Sequence, residues 1–478
     1  MELFELTALE LGEALRKGEV TQREAAEAAG RRIDALQGDL NTFITRTEPR
    51  EADLSASLLA GVPMAYKDNI CTKGVKTTCA SKILGDFEPP YDATVAERLA
   101  AAGAVSLGKL NMDEFAMGST SETSFYGPVK DPWDLSRAPG GSSGGAAAAV
   151  AAGECWYAIG SDTGGSIRQP AAYCGVTGMK PTYGTVSRYG LIAYASSLDQ
   201  MGPIARSAAD CAAVLDLIMG RDRRDGTSLE GDGGRLLSGL TGDVRGMRIG
   251  IPDDCFAEGL DAEVSAAVLA AADVLRSRGA AVERFSLPVM DYVVPAYYII
   301  ACAEASSNLA RFDGVKYGWR APDYEDLADL YSRTRTEGFG REVQRRILLG
   351  TFVLSAGYYD AYYKKALQAK AVIKRAYDEA FQRYDLLLGP VTPTTAPRLG
   401  ESLSDPLKMY LSDIYTVPLN LAGLPGLSMP CGFDRQGLPI GVQLAGPPLG
   451  EARVLGAAHA FQMETDYHKR MPKGGGAV

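Results

Sequence analysis

Histidine is almost absent from this sequence. Of its 478 residues only His459 and His468 are histidines, and both lie near the C-terminal end. A hydrolase that depends on a histidine base would have to take it from this tail. A zinc site would need cysteine or carboxylate ligands instead, and no ligand spacing in the sequence supports one. We therefore expect neither histidine-based catalysis nor a bound metal.

Cys-x-x-Cys pairs, the residue pattern of a signal peptide and long apolar runs are also not seen in this sequence. None of the eight cysteines forms a Cys-x-x-Cys pair, and a chain this long needs no disulfides, so we expect reduced thiols and a cytoplasmic protein. The first residues lack the basic-then-apolar order of a signal peptide, and no apolar run has the length of a membrane span. The net charge of -10 repels phosphate backbones, so RNA is expected to be contacted mainly through a partner.

Short apolar stretches alternate with helical patterns along the chain. Thr7-Ala-Leu-Glu10 and Thr21-Gln-Arg-Glu24 each fit a capping box, which predicts two packed helices within about residues 1–60. Further strands are predicted at 62–67, 104–108, 247–251 and 385–388, a hairpin at 427–444, and helices at 94–102, 207–220, 262–278 and about 341–384. This alternation predicts an α/β fold with a large mixed β-sheet covered by helices on both faces. Residues 1–478 are expected to form a single domain with an exposed connection at about 221–246.

Two glycine-rich segments carry serines. The first reads Pro139-Gly-Gly-Ser-Ser-Gly-Gly-Ala146, and the second reads Ile159-Gly-Ser-Asp-Thr-Gly-Gly-Ser-Ile-Arg-Gln-Pro170. Glycines permit backbone conformations in which consecutive N–H groups point at one spot, as a developing oxyanion requires. A flexible linker would not be followed at once by an apolar helix and a second Gly-Gly-Ser, and a phosphate loop would need Gly-Lys-Ser/Thr.

A serine nucleophile needs a base, and lysine is the chemical substitute for histidine. The pKa of an unperturbed lysine is about 10.4, so it accepts a proton at neutral pH only where burial or positive charge favours the neutral amine. Lys67 ends the apolar stretch Val62-Pro-Met-Ala-Tyr-Lys67 and suits that role. Taken alone, it also fits a solvated surface charge, and the two serine motifs favour the catalytic interpretation.

The two serine motifs and the lysine segment Val-Pro-Met-Ala-Tyr-Lys-Asp-Asn together resemble the amidase signature family. The resemblance implies that Ser166 is the nucleophile and that Ser142, on a cis peptide bond, passes its proton to Lys67. It implies a supporting hydrogen bond from Ser143, and it implies that Asp162 and Arg168 order the loop. It also implies an oxyanion hole of backbone N–H groups at Thr163, Gly164, Gly165 and Ser166.

Other segments resemble one branch of that family, the A subunits of bacterial aspartyl/glutamyl-tRNA amidotransferases. They are Asn111–Glu122, Ser187–Ile192, Ser196–Gln200 and Leu348–Tyr363. This implies that the chain hydrolyses glutamine and that the ammonia amidates Glu-tRNA(Gln), or Asp-tRNA(Asn), on a second subunit. The implied assembly is a heterotrimer with a tRNA-binding, kinase-type partner and a small third subunit. No cofactor is expected in this chain, and ATP and Mg are expected on the partner.

Glutamine carries an α-carboxylate and an α-ammonium, so a selective pocket needs a cation and an anion. Matching the pattern of this branch implies that Arg346 holds the carboxylate and Asp413 the ammonium, with Met117 and Ser119 lining the pocket. Without the resemblance, nothing distinguishes Arg346 from the adjacent Arg345. Ala146 stands where many relatives have serine, and it continues the helix well.

Three other interpretations stay open at this point. A stand-alone amidase of the same family would act on another small amide. An α/β-hydrolase esterase is suggested by Gly141-Ser-Ser-Gly-Gly145, but that motif should follow a strand directly, and the polar stretch Asp131–Pro139 precedes it. A binding module without enzymatic activity explains neither Gly-Gly-Ser motif.

Overall fold

One mixed β-sheet runs through the computed structural model, which describes residues 2–230 and 235–472. Its eleven strands within those ranges are β1 (Phe43–Arg46), β2 (Pro63–Lys67), β3 (Val105–Leu110), β4 (Tyr157–Asp162), β5 (Thr177–Lys180), β6 (Gln200–Ala205), β7 (Arg248–Pro252), β8 (Ala281–Phe285), β9 (Leu386–Pro390), β10 (Gly426–Phe433) and β11 (Pro439–Ala445). Their order across the sheet is β1-β3-β2-β4-β6-β5-β10-β11-β9-β7-β8.

The sheet combines parallel and antiparallel pairs. Strand β2 is parallel to β3 and β4, and β7 is parallel to β8 and β9. The central pairs, from β4 through β6, β5, β10 and β11 to β9, are antiparallel, and β10–β11 is the predicted hairpin. Every residue of β2, β4, β6 and β11 is buried. Because successive side chains point to opposite faces, both faces are covered, which confirms the predicted fold class.

Helices pack around this sheet. They are α1 (Ala8–Lys17), α2 (Gln22–Leu40), α3 (Thr94–Ala101), α4 (Gly144–Ala151), α5 (Arg168–Cys174), α6 (Ala208–Ile218), α7 (Ala262–Ser277), α8 (Met290–Asn308), α9 (Leu327–Gly338), α10 (Arg341–Leu354), α11 (Lys364–Arg383), α12 (Glu401–Ser404), α13 (Pro406–Leu411), α14 (Val417–Ala422) and α15 (Glu451–Glu464). The capping boxes predicted at Thr7 and Thr21 are both formed. The helices that they begin, α1 and α2, are therefore confirmed.

The helix predicted over 341–384 is divided into α10 and α11. The break follows Leu354, because Ser355 is already extended with a ψ of 158°, and it includes Gly357, whose φ of 87° is left-handed. A short π-helix, Tyr359–Tyr363, leads into α11. Gly350 does not interrupt α10. It lets the helix approach α8 closely, since a Cβ there would lie 1.9 Å from the carbonyl oxygen of Cys302.

The predicted connection at 221–246 falls partly on 231–234, which lie outside the described residues. Its described parts, 221–230 and 235–246, contain no helix or strand. That the whole chain forms a single domain stays a prediction. Across the described parts of the chain, no helix combines the length and apolar character that crossing a bilayer requires. All eight cysteines are buried and unpaired.

Candidate active site

Lys67 is the last residue of β2, and its side chain is completely buried. Its Nζ lies 2.7 Å from the Ser142 hydroxyl and 3.0 Å from the Ser161 hydroxyl. Ser161 in turn accepts a hydrogen bond from the Asn69 amide at 2.9 Å. The structure therefore brings together the predicted lysine and the predicted shuttle serine.

Burial lowers the pKa of Lys67 to about 7, although the carboxylates of Asp113, Asp162 and Asp199 oppose that shift. An amine with a pKa near 7 is largely neutral in slightly alkaline solution, so its lone pair is available to a hydroxyl proton. The hydrogen bond to Ser142 therefore joins a potential base to a potential proton donor.

The backbone around Ser142 is fixed on both sides. The Gly141–Ser142 peptide bond is cis, as the family resemblance implies. The Gly141 N–H donates to the Gln169 side-chain oxygen at 2.9 Å, and the Ser142 carbonyl accepts from the Asp113 N–H at 3.3 Å. These contacts point the Ser142 hydroxyl at the end of β2.

Ser143 ties the two glycine-rich segments together. Its N–H donates to the Ser166 carbonyl at 3.1 Å, and its hydroxyl donates to the Ser161 carbonyl, also at 3.1 Å. Ser166 keeps 8% of its surface exposed. Among the described residues its hydroxyl has no hydrogen-bond partner, and no hydrogen bond joins it to Ser142. The two serine segments are thus adjacent, with the Ser166 hydroxyl left open.

The turn before Ser166 presents open backbone donors. Within the described chain, three of its N–H groups make no hydrogen bond, those of Thr163, Gly164 and Ser166. The fourth predicted donor differs, because the Gly165 N–H already donates to the Asp162 carboxylate at 2.8 Å. Gly165 has a φ of 137°, and a Cβ there would lie 2.1 Å from the Thr416 hydroxyl, so only glycine fits.

Asp162 and Arg168 hold this turn in place. Arg168 donates from Nε and Nη2 to the two oxygens of Asp162, each at 3.0 Å, and both side chains are fully buried. Burial by itself raises the pKa of Asp162, but the charge and hydrogen bonds of Arg168 lower it to about 2. Arg168 also donates to the Thr416 carbonyl and the Gln443 side chain. All of these contacts are structural.

Arg346 lies on α10 and is 2% exposed. Its Nε donates to Glu342 at 2.8 Å and its Nη1 to the Tyr194 hydroxyl at 2.7 Å. Its Nη2 is buried without a hydrogen-bond partner in the described structure. The guanidinium is surrounded by three rings, those of Tyr194, Tyr298 and Tyr410, with centroids 5.2–5.6 Å away. One donor of a buried cation is therefore free.

Asp413 mirrors this arrangement with the opposite charge. The Ser119 hydroxyl donates to one of its oxygens, Oδ2, while Oδ1 is buried without a partner among the described residues. Burial raises the pKa of Asp413 to about 7, and the charge of Arg346 acts against that shift. Met117 is fully buried two residues before Ser119. The structure thus joins Ser119 to Asp413 and brings Arg346 close enough for its charge to act on Asp413.

Some residues of this site were missed by sequence reasoning. Ser161, a partner of Lys67, lies inside the second serine motif. Glu342 stands four residues before Arg346, the helical spacing of an ion pair, so this signal was available. Tyr194 and Thr416 approach from far along the chain, and no local pattern marks them. Over 2–230 and 235–472, no three His, Cys, Asp or Glu side chains are grouped as metal ligands.

Comparison with known proteins places this geometry in a family. The profile of the family described as Amidase matches residues 24–455. The A subunit of glutamyl-tRNA(Gln) amidotransferase from Agathobacter rectalis is 58% identical over 474 residues, which cover 97% of this chain and 94% of that protein. The crystal structure of the corresponding A subunit from Thermotoga maritima has a TM-score of 0.84 and 42% identity, with coverage of 98% and 97%. Native peptide amidase of Stenotrophomonas maltophilia has a TM-score of 0.78 and 30% identity, with 98% of each chain covered. The chain therefore belongs to the amidase family.

Proposed function

We propose that this chain is the glutamine-hydrolysing subunit of a tRNA-dependent amidotransferase. It releases ammonia for the amidation of Glu-tRNA(Gln), and of Asp-tRNA(Asn) where the organism requires it. Relatives that match nearly the full chain bear the name of that subunit, which supports the assignment.

The assignment of glutamine as the substrate rests on two buried atoms of charged side chains in the pocket that have no hydrogen-bond partner. Arg346 Nη2 and Asp413 Oδ1 are both buried and without partners in the described structure. A buried polar atom without a partner costs about 1–3 kcal/mol, and more when it is charged. L-Glutamine satisfies both, since its α-carboxylate accepts from Arg346 and its α-ammonium donates to Asp413. The side-chain amide is then free to reach Ser166.

The reaction begins with proton transfer away from Ser166. Neutral Lys67 accepts the proton of the Ser142 hydroxyl, and Ser142 takes the proton of Ser166 as its oxygen attacks the amide carbon. This step requires the Ser142 and Ser166 hydroxyls to meet, and such contacts often tighten only when substrate is bound.

The tetrahedral intermediate carries its negative charge on the former amide oxygen. We place the donors to that oxygen at the three open N–H groups of the turn, those of Thr163, Gly164 and Ser166. Gly165 gives the turn its shape. The relay returns a proton to the nitrogen, ammonia leaves, and a γ-glutamyl ester forms on Ser166. Water then attacks the ester by the same relay and releases glutamate.

The remaining parts of the assembly follow from this assignment. A tRNA-binding, kinase-type partner with ATP and Mg would activate the misacylated tRNA, and a small third subunit would complete a heterotrimer. The complex would work in the cytoplasm. Co-purification with the two recombinant partner subunits tests this composition.

The substrate is tested by comparing amides. We expect the chain to hydrolyse L-glutamine with a kcat/KM at least about 100-fold above that for butyramide, which lacks both α-substituents; this ratio corresponds to about 2.7 kcal/mol. Ammonia release is measured, with Ser166→Ala as the inactive control. Equal rates for the two amides would instead support a stand-alone amidase of broad specificity.

A further inference from the structure

The outer face of α10 and the start of α11 expose an apolar surface. Its members, each 39–71% exposed, are Leu348, Phe352, Tyr358, Tyr359, Tyr362 and Leu367, and we call it the 348–367 face. The ring centroids of Phe352 and Tyr358 are 4.3 Å apart, and those of Tyr358 and Tyr362 are 6.0 Å apart. Soluble proteins rarely leave a contiguous apolar patch in water unless another molecule covers it.

The face departs from the usual pattern of a surface helix. One side of α10 is buried, through Val343, Arg346, Gly350 and Val353, and packs against α8. The opposite side of such a helix normally carries polar side chains, but here Leu348 is 71% exposed. Helix α10 is therefore buried on one side by this chain and exposes apolar side chains on the other.

The 348–367 face lies partly on the helix that also carries Arg346. Arg346 belongs to the same helix, and the Tyr410 hydroxyl of α13 donates to Glu342 of α10 at 3.0 Å. On α13 itself, Leu407 and Leu411 are 61% and 42% exposed, so this helix also presents apolar side chains. A molecule seated on the face would rest against the helix that carries the substrate-binding cation.

The charges around the face favour a protein partner over RNA. Arg345 and Lys364 are already paired with Glu342 and Asp360. Arg341 and Lys365, at the two ends, form no ion pair within the described residues. Two unpaired cations around an aliphatic and aromatic centre complement a protein surface with an apolar core and a carboxylate rim. RNA binding relies on many phosphate contacts, and this chain is acidic.

We infer that the 348–367 face docks the partner subunit that receives the ammonia. This inference rests on the proposed function, which requires such a subunit next to the glutamine site. Docking on this face places the partner against the helix whose buried side carries Arg346, and its carboxylates meet Arg341 and Lys365.

The double variant Leu348→Glu, Tyr362→Glu tests the inference in the full chain. Kd is measured by sedimentation against the recombinant tRNA-binding subunit of the same organism, together with its small third subunit. We expect Kd to rise at least about 100-fold while glutamine hydrolysis by the isolated chain stays within twofold. The matched control is Met463→Glu, a 56% exposed residue of α15, which should leave Kd unchanged.

Three results would overturn the docking assignment. The first is an unchanged Kd in the double variant. The second is that the variant loses only tRNA binding by the isolated chain. The third is that the wild-type chain alone self-associates and the double variant is monomeric. Absence of glutamine hydrolysis in the wild-type chain and its complex would instead remove the proposed function. The two failures are therefore read from separate measurements.

Discussion

The catalytic centre and the substrate pocket are built in opposite ways. In the centre, Lys67 meets two serine turns that lie close together in the sequence and share several hydrogen bonds. In the pocket, Ser119 and Asp413 are 294 residues apart, and Arg346 comes from a third segment. The groups without hydrogen-bond partners in the centre are a hydroxyl and uncharged N–H groups. In the pocket they are one atom of a cationic side chain and one atom of an anionic side chain.

This difference suggests that one set of residues determines the reaction and another determines the substrate. In the proposed mechanism the centre attacks any amide that reaches Ser166, and a peptide amidase has a similar fold. In the proposed mechanism, the pocket selects among amides through Arg346 and Asp413. We therefore expect substitutions in the centre to reduce kcat and substitutions in the pocket to raise KM, and the following predictions test that division.

The largest effect is expected for Lys67→Arg. Arginine keeps the positive charge but is not deprotonated at accessible pH, so it cannot accept the Ser142 proton. General base catalysis contributes about 100- to 10,000-fold, and we expect kcat for L-glutamine to fall within or beyond the upper part of that range. Steady-state ammonia release measures kcat, and circular dichroism shows whether the variant is folded.

Lys180→Met is the matched control for that variant. Burial lowers the pKa of Lys180 to about 7 as well, but its Nζ donates to the carbonyls of Pro181 and Leu424 and, among the described residues, forms no hydrogen bond with a serine. We expect a lower melting temperature, because two buried carbonyls lose their donor, with kcat of the folded protein within about fivefold. Equal kcat losses in both lysine variants would contradict the assignment of Lys67 as the base.

The second largest effect is expected at Arg346 of α10, and the adjacent Arg345 serves as its control. Arg346→Lys loses the planar donor pair at a buried site, so we expect KM for L-glutamine to rise by about 100-fold with little change in kcat. The side chain of Arg345 is 43% exposed and forms an ion pair with Glu342, so KM of Arg345→Lys should stay within twofold of the wild-type value. If both variants raise KM equally, the pocket does not distinguish the two residues and the carboxylate site lies elsewhere.

A tenfold effect is expected from pH. The base form of Lys67 is the neutral amine, which predominates above its pKa of about 7, so kcat should rise about tenfold from pH 6 to pH 8. Asp413 must be charged to bind an ammonium, and its pKa is also about 7 in the free protein, so kcat/KM should rise more steeply. In Asp413→Asn, kcat/KM should rise with pH no more steeply than kcat, and the pH profile of kcat should be unchanged. A flat kcat profile between pH 6 and pH 8 would be incompatible with this base.

Local signals predicted the parts of the fold that depend on neighbouring residues. The capping threonines of α1 and α2 act within one helical turn and were sufficient to locate both helices. Helix α8 was not predicted. It contains Pro295 and several β-branched and aromatic residues, and its buried residues pack against α10 and α11. The strand order of the sheet is likewise set by long-range pairing that no local pattern specifies.

The candidate site follows the same division. Ser142, Ser166 and the donor turn lie in glycine-rich motifs that indicate their chemistry directly. Lys67 was a candidate because it ends an apolar strand, and its role stays a prediction. Arg346 was chosen through a family resemblance, because its burial depends on packing against α8 and Tyr194 that sequence spacing does not reveal.

The smallest effect is expected at the two histidines. His459 lies on α15, which packs against α6 and α7, and His468 follows in a short 3-10 helix. Burial lowers the pKa of His468 to about 4, and in the described structure its Nδ1 has no hydrogen-bond partner. Neither histidine contacts the serine turns, so we expect the variant His459→Ala, His468→Ala to keep kcat and KM within twofold, with only a lower melting temperature. A collapse of kcat in a folded double variant would restore a histidine-based triad and remove Lys67 from the mechanism.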